Sequence, residues 1–320
     1  MSRDRLLVQG SGMPVTPYTI TLTNGQPLTI TSGAVGVTSG TLNLGAMNTG
    51  TLAFGNNPGY FTGRSGITVG AAITGTNGIV VGGPVTVSLN GTNTYTGDTI
   101  VYGQLKTING ADRIPDASNI YVGVDGLLTV GDGIRRDEVA GSLSGRGVMI
   151  WGSNTTKSSL RLGVGLTQTI GAVTVGTYIA PGDPTGSMQA GTLTLGSATI
   201  GVDVIFQPGS ALRIDLASAT QSDVLAMVNG SATLNGGDIN ITLLGGYTPQ
   251  AGDTFKVLTT TGGVTGAFGN VTASGYTFSQ QIVDGGKTLQ LSVIPEPASI
   301  SLAGSLGTLL LLGRRRSRSR

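Results

Sequence analysis

A short unit in which glycines bracket alternating polar and apolar residues recurs along this chain. Residues 40–45 read Gly-Thr-Leu-Asn-Leu-Gly, residues 50–55 read Gly-Thr-Leu-Ala-Phe-Gly, and residues 191–196 read Gly-Thr-Leu-Thr-Leu-Gly. Each copy is long enough for one strand that turns two apolar side chains to the same face. The flanking glycines allow the sharp backbone turns that such short strands require. Repeats of this kind predict stacked β-structure.

The composition supports short strands and argues against amphipathic helices. Glycine occupies 55 of 320 positions and charged residues make up only 11% of the chain, while Thr, Ser and Asn are abundant. These four residue types disfavour helix interiors. Hydrophobic residues still reach 38%, so the chain is not disordered in composition. A solenoid, in which each coil buries its apolar face on the next, would use the whole length as one elongated body.

The chain contains neither cysteine nor histidine. Disulfide bonds and zinc sites of the usual Cys/His kind are therefore excluded, and we expect no cofactor. A nucleophile would have to be Ser or Thr paired with Lys, or the chemistry would rest on paired carboxylates. None of the four lysines lies in a Ser-x-x-Lys arrangement, although a Ser-Lys pair distant in sequence stays open. We predict no catalytic, cofactor-binding or metal-binding residues, and therefore a protein that is not an enzyme.

The positive net charge comes from the C-terminal end. Lys and Arg total 18 and Asp and Glu total 16, which gives +2, but five of the arginines lie at or after position 314. Residues 1–295 hold 13 basic and 15 acidic residues, a net charge of −2. A nucleic-acid-binding protein would carry a basic patch on its folded part. Nucleic acid is therefore not an expected partner.

The last 27 residues have three parts in a fixed order. Pro295, Glu296 and Pro297 are followed by an apolar run over residues 298–312, and then by a basic cluster that consists of Arg314, Arg315, Arg316, Arg318 and Arg320. This order resembles the PEP-CTERM sorting signal of Gram-negative bacteria. The resemblance implies that an exosortase, a membrane protease-transferase, recognises Pro295, Glu296 and Pro297. It also implies that the arginines retain and orient the tail, because moving them across the bilayer is costly.

The apolar run predicts a short C-terminal hydrophobic helix that enters the membrane. Its 15 residues would extend about 23 Å as a helix, slightly less than a typical spanning helix. Snorkelling of Arg314 and local thinning of the bilayer would make up the difference. We therefore expect an exported protein, anchored in the inner membrane by this segment before processing and later located at the cell surface or outside the cell.

The beginning of the chain does not have the pattern of a signal peptide. The apolar run at residues 6–8 is only three residues long, and Gln9 and Gly10 end it. Because an exported protein normally needs such a signal, we expect that the true start lies upstream or that the sequence is a fragment. Export without a leader is the remaining alternative.

A second segment carries another family resemblance. Residues 93–97 read Asn-Thr-Tyr-Thr-Gly and are followed by Gln104-Leu105 and by an Ile-Pro-Asp-Ala-Ser stretch at residues 114–118. This segment resembles an autotransporter-associated β-strand repeat, although Asp98 and Gln104 depart from the usual glycine and threonine. The resemblance implies one or two coils of a right-handed parallel β-helix.

We therefore predict an all-β protein with a right-handed parallel β-helix or β-solenoid-like body and a short C-terminal hydrophobic helix. Four segments are expected along it. Residues 1–88 contain Gly/Thr-rich strand repeats, and residues 89–145 contain the autotransporter-associated repeat. Residues 146–293 continue the solenoid and close it, and residues 294–320 form the sorting signal.

Several other residues have both a functional and a structural interpretation. Asp125, Asp132 and the charged run at residues 135–138 are the nearest candidates for carbohydrate-active carboxylates, and the turns at Asp125 and Asp132 are also candidates for calcium binding. Turn and solvated-loop positions explain these residues as well. Trp151 is expected in the core or over a strand edge. Outward threonines could adsorb ice or polysaccharide, or could simply fill exposed strand positions; the rows in question are Thr19, Thr21, Thr23, Thr192 and Thr194.

The leading functional interpretation is an exported structural or adhesive β-solenoid of the cell surface or the extracellular space. Extracellular polysaccharide, biofilm or the envelope is the expected surrounding, and polysaccharide is the expected ligand class. One alternative is a carbohydrate-active β-helix, a lyase or glycosidase, which requires three or more carboxylates in one cleft. The other is an ice- or crystal-surface-binding protein, which requires threonines in register over several coils.

Overall fold

The computed structural model describes residues 2–9, 17–152, 158–163, 166, 172–182 and 190–295. Strands dominate these residues, and the only helical element within them is a single 3-10 turn at Asp284–Gly286. Most strands have three to seven residues, as the glycine-bounded repeats predict. In chain order the strands are β1 (Ser2–Val8), β2 (Tyr18–Ile20), β3 (Leu28–Val37), β4 (Leu42–Leu44), β5 (Thr51–Ala53), β6 (Gly59–Gly63), β7 (Gly66–Val69), β8 (Ala72–Thr74), β9 (Ile79–Gly82), β10 (Thr86–Leu89), β11 (Thr99–Val101), β12 (Gln104–Thr107), β13 (Ile120–Val122), β14 (Leu127–Val130), β15 (Asp137–Ala140), β16 (Leu143–Gly145), β17 (Val148–Trp151), β18 (Ser159–Leu162), β19 (Ala172–Val175), β20 (Tyr178–Pro181), β21 (Thr192–Leu195), β22 (Asp203–Phe206), β23 (Ala211–Ser218), β24 (Gln221–Ser222), β25 (Val224–Met227), β26 (Ser231–Asn235), β27 (Asp238–Leu243), β28 (Thr254–Thr260), β29 (Gly263–Ala267), β30 (Asn270–Ala273), β31 (Thr277–Val283) and β32 (Thr288–Ile294).

The strands stack into three sheets that share one core. Sheet A has 14 strands, sheet B has 12 and sheet C has six. From β19 onward each coil contributes one strand to sheet C, then one to sheet A and one to sheet B; β22, β23 and β25 form one such coil. Strands β15, β16 and β17 have the same order, and β18 and β19 are successive strands of sheet C. Neighbouring strands are parallel and in register, as in the pairing of β11 with both β9 and β13. This arrangement is a parallel β-helix.

The third side of the solenoid, which sheet C forms from β15 onward, is built differently before that strand. The first half of β3 pairs with β5, and β5 pairs with β8. Between β8 and β15, isolated backbone hydrogen bonds replace strands: Thr94 N–H donates to the Ile73 carbonyl over 2.9 Å, and Asp112 N–H donates to the Asp137 carbonyl over 3.0 Å. Side chains complete the stack here, as described below for Asn93 and Glu138.

The core consists of inward-facing side chains stacked in columns along the solenoid. In sheet B one such column places apolar residues directly above one another, each 0 or 1% exposed: Leu42, Ile67, Val87, Leu105, Leu128 and Met149. Strands about 4.8 Å apart bring the stacked side chains into van der Waals contact. Burying each one contributes roughly 1.5–3 kcal/mol. The alternation of inward apolar and outward residues in each short strand therefore builds the buried columns that stabilise the whole stack.

Glycines permit the coils to approach one another at the corners. Gly63 and Gly145 end strands of sheet A with φ of 139° and 123°, in a region that residues with a side chain rarely adopt. A Cβ atom at either position would overlap a carbonyl oxygen of the preceding coil, that of Val37 or Val122. These two glycines are thus required by both backbone conformation and space.

Different strand arrangements close the two ends of the described body. At the N-terminal end, β1 lies parallel to β3. At the C-terminal end the parallel pattern stops, because β32 pairs antiparallel with β28 on one side and with β31 on the other. Phe255 and Phe278 pack together below this hairpin, with ring centroids 6.3 Å apart. The hairpin covers the last coil of the core.

The structure confirms the predicted fold class, an all-β body built as a parallel β-helix. The glycine-bounded repeats at residues 40–45, 50–55 and 191–196 form β4, β5 and β21, each with its apolar side chains buried. The predicted C-terminal helix lies outside the described residues. Within the described part of the chain, no helix has the length and apolar character needed to cross a membrane. The boundaries at 88/89 and 145/146 lie within continuous sheets, and the subdivision stays a sequence-based prediction.

Candidate functional site

The outer face of sheet A carries a cluster of aromatic side chains. Tyr60 in β6 is in register with Val80, then Ile100 and then Tyr121, so these four form one outward column across β6, β9, β11 and β13. Tyr102 follows β11 directly and is 50% exposed. Exposed aromatic residues that adjoin one another on a folded surface often mark a binding site.

A shallow groove of about 270 Å³ crosses this part of sheet A. The side chains around it combine aromatic, aliphatic and polar groups: Asp98, Ile100, Tyr102, Asn119, Ile120, Tyr121, Ser144 and Tyr178. We call this surface the tyrosine groove. Apolar walls with a few placed polar groups are the usual composition of a ligand site.

Ring contacts hold the aromatic walls of the tyrosine groove in place. The rings of Tyr102 and Tyr121 meet edge to face, with centroids 5.8 Å apart and an angle of 70°. The guanidinium carbon of Arg213 lies 3.6 Å from the centroid of the Tyr178 ring. Both geometries are attractive for electron-rich ring faces. The tyrosines are therefore oriented before any ligand arrives.

A chain of hydrogen bonds forms the polar edge of the groove. Ser142 Oγ donates to Asn119 Oδ1 over 2.8 Å, and Asn119 Nδ2 donates to Asp98 Oδ1 over 3.1 Å. These three residues precede successive strands of sheet A, so backbone pairing fixes their spacing. An ionised carboxylate has about four acceptor positions, and Asn119 occupies one of those on Asp98. Asp98 can therefore accept further hydrogen bonds from a ligand.

The tyrosine groove was not predicted from the sequence. A signal was present, because the outward column falls at positions 60, 80, 100 and 121, close to one coil apart. These distant positions can be recognised as neighbours only when the coil length, about 20 residues here, is known. The recurring glycine-bounded units indicate strands, but they do not give the number of residues in a coil.

Glu138 corrects the prediction that residues 135–138 form a solvated loop. Asp137–Ala140 is strand β15, and Glu138 is 0% exposed. Its Oε2 atom accepts hydrogen bonds from the backbone N–H groups of Arg113 at 2.8 Å and Ile114 at 3.1 Å. Burial raises the pKa of the Glu138 carboxyl to about 8, against the effect of these two hydrogen bonds. Glu138 is thus a structural group that replaces missing strand pairing.

A second buried carboxyl joins two coils near sheet B. Asp223 accepts hydrogen bonds from the backbone N–H groups of Gly191 at 2.7 Å and Asp215 at 2.9 Å. Burial raises its pKa to about 7, and the negative charge of Asp215 acts in the same direction. The nearby Arg146 partly opposes this increase. Because Asp223 links the start of β21 to β23, its observed role is structural.

One depression brings a serine and a lysine together. It has a volume of about 530 Å³, and Ser222 and Lys256 both line it. The Ser222 hydroxyl donates to the Lys256 carbonyl oxygen over 3.4 Å. The Lys256 ammonium, however, lies 2.8 Å from Asp284 Oδ2 in an ion pair.

The sequence-predicted sorting residues are only partly described. Pro295 is exposed, directly follows β32 and lines a depression together with Tyr276 and Pro249. Glu296, Pro297 and the whole basic cluster lie outside the described residues, and so does the apolar run between them. Their role stays a prediction.

The remaining candidates take structural positions. Trp151 is fully buried in the core, as predicted. Asp132 Oδ2 accepts a hydrogen bond from the backbone N–H of Asn109, and Asp132 also pairs with Arg136 at 3.4 Å. Asp125 is an exposed turn residue. In the described ranges, no group of three acidic residues is arranged to hold a metal ion.

The threonine rows do not continue from coil to coil at the predicted positions. Thr19 in β2 lies beside Asn43, and Thr194 in β21 lies between Val148 and Ala226. Residues 21 and 23 fall outside β2. The in-register threonine array that an ice-binding face requires is therefore not formed by these rows.

Comparison with known proteins gives one informative similarity. The chain is 30% identical over 220 residues to a protein of Serratia marcescens described as an extracellular serine protease. The match covers 66% of this chain but only 16% of the relative. No protein-family model matches the sequence. The extracellular description of the relative agrees with the prediction of an exported β-helix protein.

The same similarity contradicts the prediction that the chain is not an enzyme, because the relative is a protease. The prediction rested on the absence of histidine and cysteine, which excludes only nucleophiles paired with those residues. A serine with a lysine base was left open in the sequence. In the structure, Ser222 and Lys256 both line one depression.

Proposed function

We propose that this chain forms a β-helical segment of an exported protein that attaches to extracellular polysaccharide. The observation that carries the proposal is the tyrosine groove, where oriented aromatic rings and a hydrogen-bonded carboxylate lie on an outer face of the solenoid. A stack of similar coils is rigid and long, which suits a structural or adhesive element of a biofilm or envelope. Many weak contacts along such a body add to a firm attachment.

Export to that location is part of the proposal. The C-terminal order of Pro-Glu-Pro, apolar run and arginines supports delivery by an exosortase, with the membrane holding the tail until processing. The extracellular description of the relative supports the same location. A body with only 13 basic and 15 acidic residues is also suited to a matrix of polysaccharide rather than nucleic acid.

The attachment is tested with matrix from the producing cells. The full chain should co-sediment with isolated extracellular polysaccharide, and cells that lack the gene should release more polysaccharide into the medium. A protein that stays in solution at every polysaccharide concentration would contradict the proposal.

The sorting step has a separate test. Replacement of Glu296 by Ala, or deletion of residues 314–316, should leave the protein unprocessed or mislocalised in a host that has an exosortase. Mass spectrometry and cell fractionation measure the two outcomes. An unchanged mass together with an unchanged location would remove the exosortase from the proposal.

A second candidate function is extracellular proteolysis, which the similarity to the Serratia marcescens protein favours. Ser222 in the depression with Lys256 is the candidate nucleophile. Purified chain should then hydrolyse an unfolded protein substrate. Ser222→Ala should abolish that activity, while Ser197→Ala, which changes a half-buried serine outside the depression, should retain it. Equal activity of both variants would exclude Ser222, and no activity of the unmodified chain would remove this candidate.

A further inference from the structure

The geometry points to a neutral glycan chain as the ligand of the tyrosine groove, lying along the direction in which the coils stack. This inference rests on the proposed attachment to polysaccharide and specifies its site, its chemistry and its orientation. The floor of the groove follows the column Ile100, Tyr121 and Ser144, which crosses three successive strands of sheet A. At about 4.8 Å per strand, this floor extends roughly 10 Å along the solenoid.

The aromatic walls suit the carbon-bound hydrogens of a sugar ring. Tyr102 stands at one side of the floor, Tyr121 forms part of it, and Tyr178 closes the other side. The edge-to-face contact of Tyr102 and Tyr121 fixes the orientation of these two rings, and Tyr102 is 50% exposed. Arg213 packs on the Tyr178 ring and restricts its movement. Little side-chain entropy is therefore lost when a ligand binds.

The polar groups suit the hydroxyls of a sugar. Asp98 offers carboxylate oxygens, and the Asn119 amide that holds it is itself held by Ser142. Ser144 donates its hydroxyl hydrogen to the Ile120 carbonyl oxygen over 3.2 Å, so its remaining lone pairs can accept. Acceptors therefore predominate, and a ligand rich in hydroxyl donors matches them.

The charge of the groove argues for a neutral ligand. Asp98 is the only charged residue among those that line it. A polyuronate or a phosphate-bearing polymer would bring negative charge next to this carboxylate. One cation at the margin, Arg213, is engaged with the Tyr178 ring. Neutral glycan is therefore favoured over acidic glycan.

An extended peptide is a poorer fit because no strand edge is available here. Strand β11 is hydrogen bonded to β9 on one side and to β13 on the other. Strand addition requires free backbone N–H and C=O groups at an edge. The groove offers side chains alone, which favours stacking and hydroxyl recognition.

The test uses the full chain and the extracellular polysaccharide of the producing cells, separated by anion exchange into a neutral and an acidic fraction. Titration calorimetry should show binding to the neutral fraction and at least tenfold weaker binding to the acidic one. Tyr102→Ala and Asp98→Ala should each weaken neutral-glycan binding by about tenfold, as expected for groups at the centre of a contact. Ile134→Ala, which removes an exposed side chain between sheets B and C, is the matched control and should change binding less than twofold. Fluorescence of the buried Trp151 verifies that each variant is folded.

Three results would overturn the inference. The first is neutral-glycan binding that is unchanged in both groove variants, which would leave attachment to polysaccharide intact but place it elsewhere. The second is preference for the acidic fraction, and the third is displacement of the glycan by an unrelated extended peptide. Absence of binding to either fraction would instead remove the proposed attachment itself, so the two failures are distinguishable.

Discussion

Single buried carboxyls carry the strongest electrostatic consequences in this protein. Glu138 and Asp223 both accept two backbone hydrogen bonds, yet burial raises their pKa values to about 8 and about 7. In the unfolded chain both groups would ionise near pH 4. The folded state therefore holds protons that the unfolded state releases, and its stability depends on pH.

We predict that the free energy of unfolding decreases as pH rises from about 4.5 to about 8, because the folded state binds more protons throughout that interval. Glu138→Gln should remove about half of this decrease, because Asp223 contributes a shift of similar size. The neutral amide oxygen can still accept the two backbone N–H groups. The variant should be more stable than the unmodified chain near pH 9, on the order of a few kcal/mol. Urea denaturation at several pH values measures the effect.

Asp125→Asn is the control for this experiment, because it removes an exposed carboxylate from a turn. Its measured slope is the reference for the general effect of removing one carboxylate. Asp223 titrates in the same direction as Glu138, so Glu138→Gln should retain a smaller slope. A slope equal to that of the unmodified chain would show that Glu138 is ionised at neutral pH in the folded state.

Asn93 shows how one side chain can stand in for a missing strand. Its Oδ1 atom accepts from the Ile73 N–H over 2.8 Å, and its Nδ2 group donates to the Arg113 carbonyl over 2.6 Å. The side chain thereby joins three consecutive coils on the third side of the solenoid. Asn93→Ala would leave two buried backbone groups without partners, each at a cost of roughly 1–3 kcal/mol.

We therefore expect Asn93→Ala to lower the free energy of unfolding by about 2–4 kcal/mol in urea denaturation. Asn77→Ala is the matched control, because Asn77 makes one exposed hydrogen bond to the Asn56 carbonyl. It should cost less than about 1 kcal/mol. Equal losses in the two variants would mean that Asn93 does not connect the coils.

At the scale of elements, strand length is set by the turns that end each strand. Gly63, the last residue of β6, has φ of 139° and lies against the Val37 carbonyl. Gly82, the last residue of β9, has no atom within 4 Å of the place where a Cβ would lie. The two glycines end neighbouring strands of sheet A, but they differ in whether a side chain could be accommodated at their position. Only the first is required by both space and conformation.

Gly63→Ala should destabilise the protein by at least about 2 kcal/mol, because the new methyl group and the Val37 oxygen cannot both keep their places. Gly82→Ala should be neutral or slightly stabilising, since it reduces the entropy of the unfolded chain. Thermal unfolding of the two variants side by side gives the comparison. Equal midpoints would show that the corner at Gly63 adapts.

At the scale of the whole molecule, a stack of parallel coils must end without leaving an open sheet edge. The antiparallel strands β31 and β32 serve this purpose at the C-terminal end, and Leu289 and Leu291 bury their side chains beneath them. Open edges of β-sheets pair with other chains and cause aggregation. The hairpin is therefore a cap as well as the last part of the core.

A chain that ends at Tyr276 should form soluble aggregates or precipitate, because it exposes the edge of β28 and the apolar side chains under the hairpin. A chain that ends at Pro295 keeps both strands and should remain monomeric. Size-exclusion chromatography with light scattering distinguishes the two. Monomeric behaviour of the shorter chain would show that the cap is not needed.

The sequence by itself determined the class of structure, because strand length and turning are local properties. Glycines at both ends of residues 40–45 and 191–196, with two apolar residues between, leave few alternatives to short stacked strands. Trp151 was expected in the core or over a strand edge, and it lies in the core. The sorting motif was also predicted from the sequence, and it stays a prediction.

The tertiary structure decided which distant residues meet, because coil length and register arise from contacts between residues about 20 positions apart. Tyr102, Tyr121 and Tyr178 form one groove only after the coils are stacked. The sequence predicted Glu138 in a solvated charged run, but it lies in β15, which pairs with β18, and its side chain is buried. A strand alternates its two faces whatever its sequence, and only the neighbouring coils determine which face is covered.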